Sequence, residues 1–271
     1  MKGDEIILEK MGEEWEINSK YKVWDKKIVY LLDVMKDIRV KSSVPNNLGN
    51  SVINNIATIG VKVEIYEKQK LIKTYYIGGN TPDHKGTYMI MKGAKQAYIL
   101  DIPNRRPGIL NPKFGMETYY VNQHIWREPI TINIEGKNIM NISVINFTNP
   151  SQSFKCSSEK NKLELLDGGK IINFNKKKLQ AFINSFTDLK CGSYKMNLDI
   201  NNLNFHKEII IQHKNGFDVL KIYDIKEVIK NKLEQESNVV VLYAKWNESD
   251  LFTIQKNIFN KVLITLDEIK Q

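Results

Sequence analysis

Two stretches decide how the chain is read: Ile28-Val29-Tyr30-Leu31-Leu32-Asp33-Val34-Met35-Lys36-Asp37-Ile38-Arg39 and Leu179-Gln180-Ala181-Phe182-Ile183-Asn184-Ser185-Phe186-Thr187-Asp188-Leu189-Lys190. In the first, Ile28, Leu31, Leu32, Met35 and Ile38 fall at offsets 0, 3, 4, 7 and 10. In the second, Leu179, Phe182, Ile183, Phe186 and Leu189 repeat those offsets 151 residues later. Such spacing puts each set on one face of an amphipathic helix. The flanks agree as well, because Asp37-Ile38-Arg39 answers to Asp188-Leu189-Lys190.

Working outward, each helix follows two short strand-like runs. These are Glu5 to Lys10 and Trp15 to Asn18 in the first copy, and Ser153 to Ser157 and Lys162 to Leu166 in the second. After each helix the pattern turns to strands. Val61 to Tyr66 and Leu71 to Ile77 flank a Lys-Gln-Lys turn, and Thr87 to Met91 and Ala97 to Asp101 follow. The second copy runs Glu208 to Gln212, Lys214-Asn215-Gly216, Phe217 to Tyr223, Val239 to Ala244 and Leu251 to Ile254. Asn-Gly between strand-like runs signals a hairpin. Each copy is therefore expected to read β-β-α-β-β-β-β, an antiparallel sheet with a helix packed on one face. The expected fold class is α+β, with two tandem duplicated modules.

The expected division is residues 1–101 for the first module, 102–130 for a connecting segment and 131–271 for the second. The connecting segment holds Pro103, Pro107, Pro112 and Pro129, with Tyr119, Tyr120 and Trp126. Ile130 to Ile134 and Ile139 to Phe147 are expected to form a hairpin over Glu135-Gly136-Lys137-Asn138. A terminal helix is expected through Ile258, Phe259, Val262, Leu263 and Leu266. Where the first copy has the loop Gly78 to Thr87, the second has Asp224 to Glu236, whose Ile225, Val228, Ile229 and Leu233 suggest a short amphipathic helix.

At 271 residues, with 42% hydrophobic and 26% charged residues, the chain has the composition of a globular protein of about two domains. No run reaches the ~18 apolar residues of a membrane span, and Met1-Lys2-Gly3-Asp4-Glu5 is no signal peptide. The net charge of +9 comes mainly from lysine. Only Arg39, Arg105, Arg106 and Arg127 among the forty basic residues can make bidentate contacts to bases or phosphates. The lysines are scattered, with Lys176-Lys177-Lys178 the one tight cluster, so nucleic acid is not an expected partner.

The chain carries no Gly-x-Ser-x-Gly elbow, His-Glu-x-x-His, P-loop or dinucleotide fingerprint. Gly78-Gly79 leads into Thr81-Pro82-Asp83-His84-Lys85-Gly86, which has the composition of a turn and not of a helix start. His84, His124, His206 and His213 have no metal-ligand spacing, and no metal or cofactor is expected. Cys156 and Cys191 lie in one module, either as a disulfide or as two unrelated buried thiols.

Several short runs in fixed order resemble the bacterial envelope family catalogued as a domain of unknown function, number 4340. They are Trp15-Glu16-Ile17-Asn18, Asp37-Ile38-Arg39-Val40, Gly60 to Tyr66, Tyr75-Tyr76-Ile77-Gly78-Gly79, Gly86-Thr87-Tyr88-Met89 and Trp126-Arg127. The resemblance covers Trp15 to Arg127 well and the second copy more loosely, and the family shows a similar duplication. It implies a periplasmic location behind a membrane anchor and one further strand, both ahead of a segment like Glu5 to Asn18. It also implies association with transporter or gliding-type machinery. The anchor is missing here, so either Met1 is the start of a trimmed chain, as expected, or the protein is a soluble variant.

The expected function is a non-enzymatic envelope module that scaffolds or docks onto a membrane-associated assembly. Two other readings stand beside it: a small-ligand-binding or hydrolytic protein using Asp83 and His84, and a Lys-rich polyanion-binding protein. The expected partner surface comprises Gly78, Gly79, Asp83, His84, Thr87, Arg105, Arg106, Tyr119, Tyr120, Trp126 and Arg127. Aromatic residues and Arg are enriched at protein-binding hot spots, and ordered loops carry function more often than stability.

Overall fold

A computed structural model describes residues 5–103, 109–117, 120–195, 198–225 and 241–270. The chain divides into two compact units, Met1–Glu128 and Pro129–Gln271. Among the described residues no helix is long and apolar enough to cross a membrane.

The first unit opens with β1 (Leu8–Met11), β2 (Glu14–Ile17) and β3 (Tyr21–Lys22), a three-stranded antiparallel sheet in that order. Helix α1 (Asp25–Asp37) buries Ile28, Leu31 and Val34. Leu32, expected on the same stripe, is 44% exposed, so Val34 takes its place on the inner face. Five strands follow: β4 (Arg39–Ser43), β5 (Val61–Glu67), β6 (Lys70–Asn80), β7 (Thr87–Met91) and β8 (Tyr98–Asp101). They form an antiparallel sheet in the order β4-β8-β7-β6-β5. Lys68 and Gln69 between β5 and β6 both adopt left-handed backbone, as a tight two-residue hairpin turn requires. The segment beyond β8 folds back onto this unit through the short pair β9 (Met116–Glu117) and β10 (Tyr120–Val121).

A second helix, α2 (Asn46–Ile59), corrects the expectation of one helix on one face. Asn, Gly and β-branched residues give this segment low helix propensity, and tertiary packing overrides it. Val52 and Ile56 sit in a small core with Val44, Ala97, Tyr76, Tyr88, Ile90 and Ile99. Tyr75, Ile77 and Met89, at alternate strand positions, join α1 in the larger core instead. The sheet is therefore covered on both faces, since successive strand residues point to opposite sides.

In the second unit seven antiparallel strands form one sheet. They are β12 (Ile139–Asn146), β13 (Phe154–Ser157), β14 (Lys162–Leu165), β16 (Leu203–His213), β17 (Gly216–Ile225), β18 (Val241–Trp246) and β19 (Phe252–Gln255). Their order is β14-β13-β12-β16-β17-β18-β19. The hairpin expected over Glu135 to Asn138 does not form. β11 (Thr131–Ile132) pairs instead with β15 (Leu189–Lys190), while β12 is held between β13 and β16. Gly136–Asn138 forms a 3-10 turn between them, and Ile142 and Val144 are drawn into the centre of the sheet.

Helix α3 (Lys176–Ile183) starts at Asn175, whose Oδ1 accepts from the backbone N–H groups of Lys177 and Lys178. It is shorter than its stripe suggests. A 3-10 turn over Asn184–Phe186 follows, Asp188 takes left-handed backbone, and Leu189 enters β15. Leu179, Phe182, Ile183 and Phe186 nevertheless all reach the core. The single terminal helix is likewise replaced by two short ones, Lys256–Phe259 and Leu266–Ile269. Most of the amphipathic segment expected within Asp224 to Glu236 lies outside the described residues, and Asp224 and Ile225 extend β17.

Candidate contact surface

The loop expected to carry function begins where β6 ends. A Cβ on Gly78 would come within 2.4 Å of Ile56 Cγ1, so this glycine lets α2 lie directly on the strand. The turn beyond it is well ordered by its own hydrogen bonds. Thr81 N–H donates to Gly86 O at 2.9 Å, and His84 N–H donates to Thr81 O at 2.9 Å. Asp83 Oδ1 accepts from Thr81 Oγ1 at 2.5 Å and from Lys85 N–H at 3.1 Å. Both bonds hold the Asp83 carboxyl below its usual range. Lys41 reaches across from β4 and donates to Lys85 O at 3.0 Å. His84 stands exposed at the tip in left-handed backbone.

A buried polar cluster fastens this loop to the segment after β8. Asn111 Nδ2 donates to Gly78 O at 2.9 Å. Thr87 Oγ1 accepts from Leu110 N–H at 2.8 Å and lies 3.2 Å from both Asn80 Oδ1 and Asn111 Oδ1, with one proton to give. Every member of the cluster has a partner, as burial demands. Sequence reasoning missed Asn111, because a lone Asn before Pro112 carries no periodic signal.

Trp126 and Arg127, expected on the surface, are buried. Trp126 packs against Gly115, and its carbonyl accepts from Trp24 N–H at 2.7 Å. The Arg127 guanidinium lies 3.7 Å over the Tyr21 ring, and its Nη1 is 3.3 Å from His124 Nδ1. These contacts tie the end of the unit to its beginning, with Val23 and Arg127 forming a β-bridge. Thr87 is also fully buried, so of the expected surface residues Asp83 and His84 are exposed. Arg105, Arg106 and Tyr119 lie outside the described residues, and Tyr120 opens β10.

The chemistry available is limited. Asp83 and His84 are neighbours, yet among the described residues no hydrogen bond joins their side chains. General acid–base work needs two groups converging on one atom. No cluster of three or more His, Cys, Asp or Glu gathers among the described residues. Cys156 and Cys191 are free and buried, and burial pushes both thiols up to about 12. In the second unit Lys207 is almost wholly buried. Its ammonium donates to the carbonyls of Leu263 and Ile264 at 3.0 and 3.3 Å, and burial brings its pKa down to about 8.

These features define an α+β protein of antiparallel sheets with an ordered, hydrogen-bonded loop at one sheet end. Residues 15–204 match the family described as domain of unknown function DUF4340, and the chain belongs to that family. No curated protein and no solved structure matches it.

Proposed function

We propose that the protein is a non-enzymatic module of the bacterial envelope that docks onto a larger membrane-associated assembly through the loop after β6. The supporting observation is the Asn111–Gly78 hydrogen bond with its Thr87 cluster. It makes the loop and the segment following β8 neighbours on one rigid base while leaving Pro82 to Lys85 exposed. A pre-ordered tip loses little entropy when a partner binds. The periplasmic location follows from the family resemblance, in which an anchor and a further strand precede this part of the chain.

The same reading treats the two units as copies of one module. In support, Tyr194 bridges to Phe252, which places the chain beyond β15 alongside β19. The order from there is β19-β18-β17-β16, and its counterpart in the first unit is β4-β8-β7-β6-β5. Helix α2 has no counterpart between Lys190 and Leu203 among the described residues.

The test is a photo-crosslinker placed at His84 in cells, with one at the exposed turn residue Lys160 as control. Crosslinks from position 84 to a membrane-associated protein support the reading. Equal labelling from both positions, or none from 84, overturns it. Charge reversal of Arg105 and Arg106 together should then reduce recovery of that complex without changing the melting temperature.

A further inference from the structure

We propose that the β5–β6 hairpin of the first unit inserts its tip into the surface of an anionic lipid bilayer. In this sheet β7 stops at Met91, which pairs with Tyr75 of β6. Beyond that rung β5 and β6 continue as a two-stranded ribbon through the pairs Glu64–Thr74, Ile65–Lys73, Tyr66–Leu71 and Glu67–Lys70. Lys68 and Gln69 close the ribbon in left-handed backbone, so the tip is ordered before anything binds it.

Two apolar side chains stand on this ribbon without cover. Leu71 is 40% exposed and Ile72 is 51% exposed. The ladder passes from Ile65–Lys73 to Tyr66–Leu71, which makes Ile72 the extra residue of a β-bulge. A bulge sets two consecutive residues against one on the partner strand, here Leu71 and Ile72 against Tyr66. Neither joins a hydrophobic cluster of the unit, although Tyr75 and Tyr76 further along the same strand each belong to one. Both residues lie on β6, so their exposure owes nothing to the open edge of β5.

The charge around them is predominantly positive. Lys68, Lys70 and Lys73 belong to the ribbon, and Lys92 and Lys95 to the turn after β7. Lys92 N–H donates to Thr74 O at 3.0 Å and so ties that turn to the root of the ribbon. All five lysines are exposed, and none forms an ion pair among the described residues. Lys62 takes Glu64 at 2.6 Å, which leaves Glu67 beside the turn and Glu5 nearby. Exposed Leu and Ile ringed by lysines suit a bilayer surface: the apolar tips enter the acyl boundary while the ammonium groups stay among the phosphates. Nucleic-acid recognition favours Arg, of which the ribbon has none, and a soluble polyanion gains nothing from Leu71 and Ile72. The strand β6 runs eleven residues from Lys70 to Asn80, about 35 Å. The tip and the loop at His84 therefore lie at opposite ends of it. The inference goes beyond the docking reading, and its failure leaves the crosslinking result standing.

The experiment is co-sedimentation of the full chain with vesicles of phosphatidylglycerol and phosphatidylcholine in equal parts, and with vesicles of phosphatidylcholine alone. Binding to the anionic vesicles should be about ten-fold tighter or more, and should weaken as salt rises. Lys68→Gln, Lys70→Gln and Lys73→Gln together should lower it about ten-fold. Lys176→Gln, Lys177→Gln and Lys178→Gln remove the same charge from the second unit and should leave it within about two-fold. Leu71→Ser with Ile72→Ser should lower it about ten-fold. Equal binding to both vesicles, or equal losses from the two triple variants, overturns the inference. A loss from the ribbon lysines with none from Leu71→Ser and Ile72→Ser also overturns it, because that is how a site for a soluble polyanion such as nucleic acid behaves. Ile72→Trp gives a second readout that places the tip directly. Its added emission, taken as the difference from the parent, should be quenched by phospholipids brominated in the acyl chain, and unquenched emission overturns the inference.

Discussion

Gly115 and Trp126 are in such close contact that a Cβ on the glycine would come within 2.4 Å of the indole Nε1. Gly115 also has a φ of +69°, a region where a side chain is strained whatever the space. Gly115→Ala should therefore destabilise the first unit by about 1–3 kcal/mol, through strain and overpacking together. Chemical denaturation with Trp fluorescence would read it. An unchanged midpoint would show that the indole moves aside freely.

Removing the Asn111 side chain breaks the bond to Gly78 O and leaves a buried carbonyl without a donor. Asn111→Leu should cost about 1–3 kcal/mol and speed amide exchange in residues 78–87 more than in α1. Exchange raised uniformly across the unit would mean the cluster supports the fold in general and not the loop.

Lys207 gives the second unit a pH dependence of known sign. Its pKa is about 8 when folded and near 10.5 when free, so between those values the unfolded chain binds more protons. Stability therefore rises with pH across about 8 to 10.5, by on the order of 3 kcal/mol at most, and the penalty is fully present below pH 8. The neutral amine keeps two N–H groups for the carbonyls of Leu263 and Ile264. Lys207→Met should flatten this slope relative to the parent, and an unaltered slope would assign it to other groups.

Phe182 and Leu32 test the helix stripes by contrast. Phe182 is 1% exposed and makes edge contacts with Phe154 and Phe186, whereas Leu32 is 44% exposed. Phe182→Ala should cost about 3–5 kcal/mol, and Leu32→Ala should stay within about 0.5 kcal/mol. Comparable losses would mean that Leu32 is covered in solution.

Both cysteines should resist thiol reagents at pH 8, because thiols pushed up to about 12 hold almost no thiolate there. Labelling should appear only on unfolding, at the unfolding rate. Rapid labelling of Cys191 in the native protein would show that the segment just after β15 opens locally.

The sequence by itself determined the α+β class, most of the buried positions of the α1 and α3 stripes, and the meander strands that pair with their neighbours in the chain. Hydrophobic period and turn chemistry are local, so Thr87 to Met91 was legible residue for residue. Tertiary structure decided the rest. Asn46–Ile59 becomes a helix because the outer face of a sheet needs cover, a demand its own propensity does not express. β11 passes over the adjacent β12 for β15, since β12 lies between β13 and β16. Arg127 and Trp126 have the composition of a binding surface, yet they are buried because the segment after β8 folds back onto Val23 and Trp24. Asn111 could not be read from the chain, since its partner Gly78 lies 33 residues earlier and only the folded sheet brings the two together.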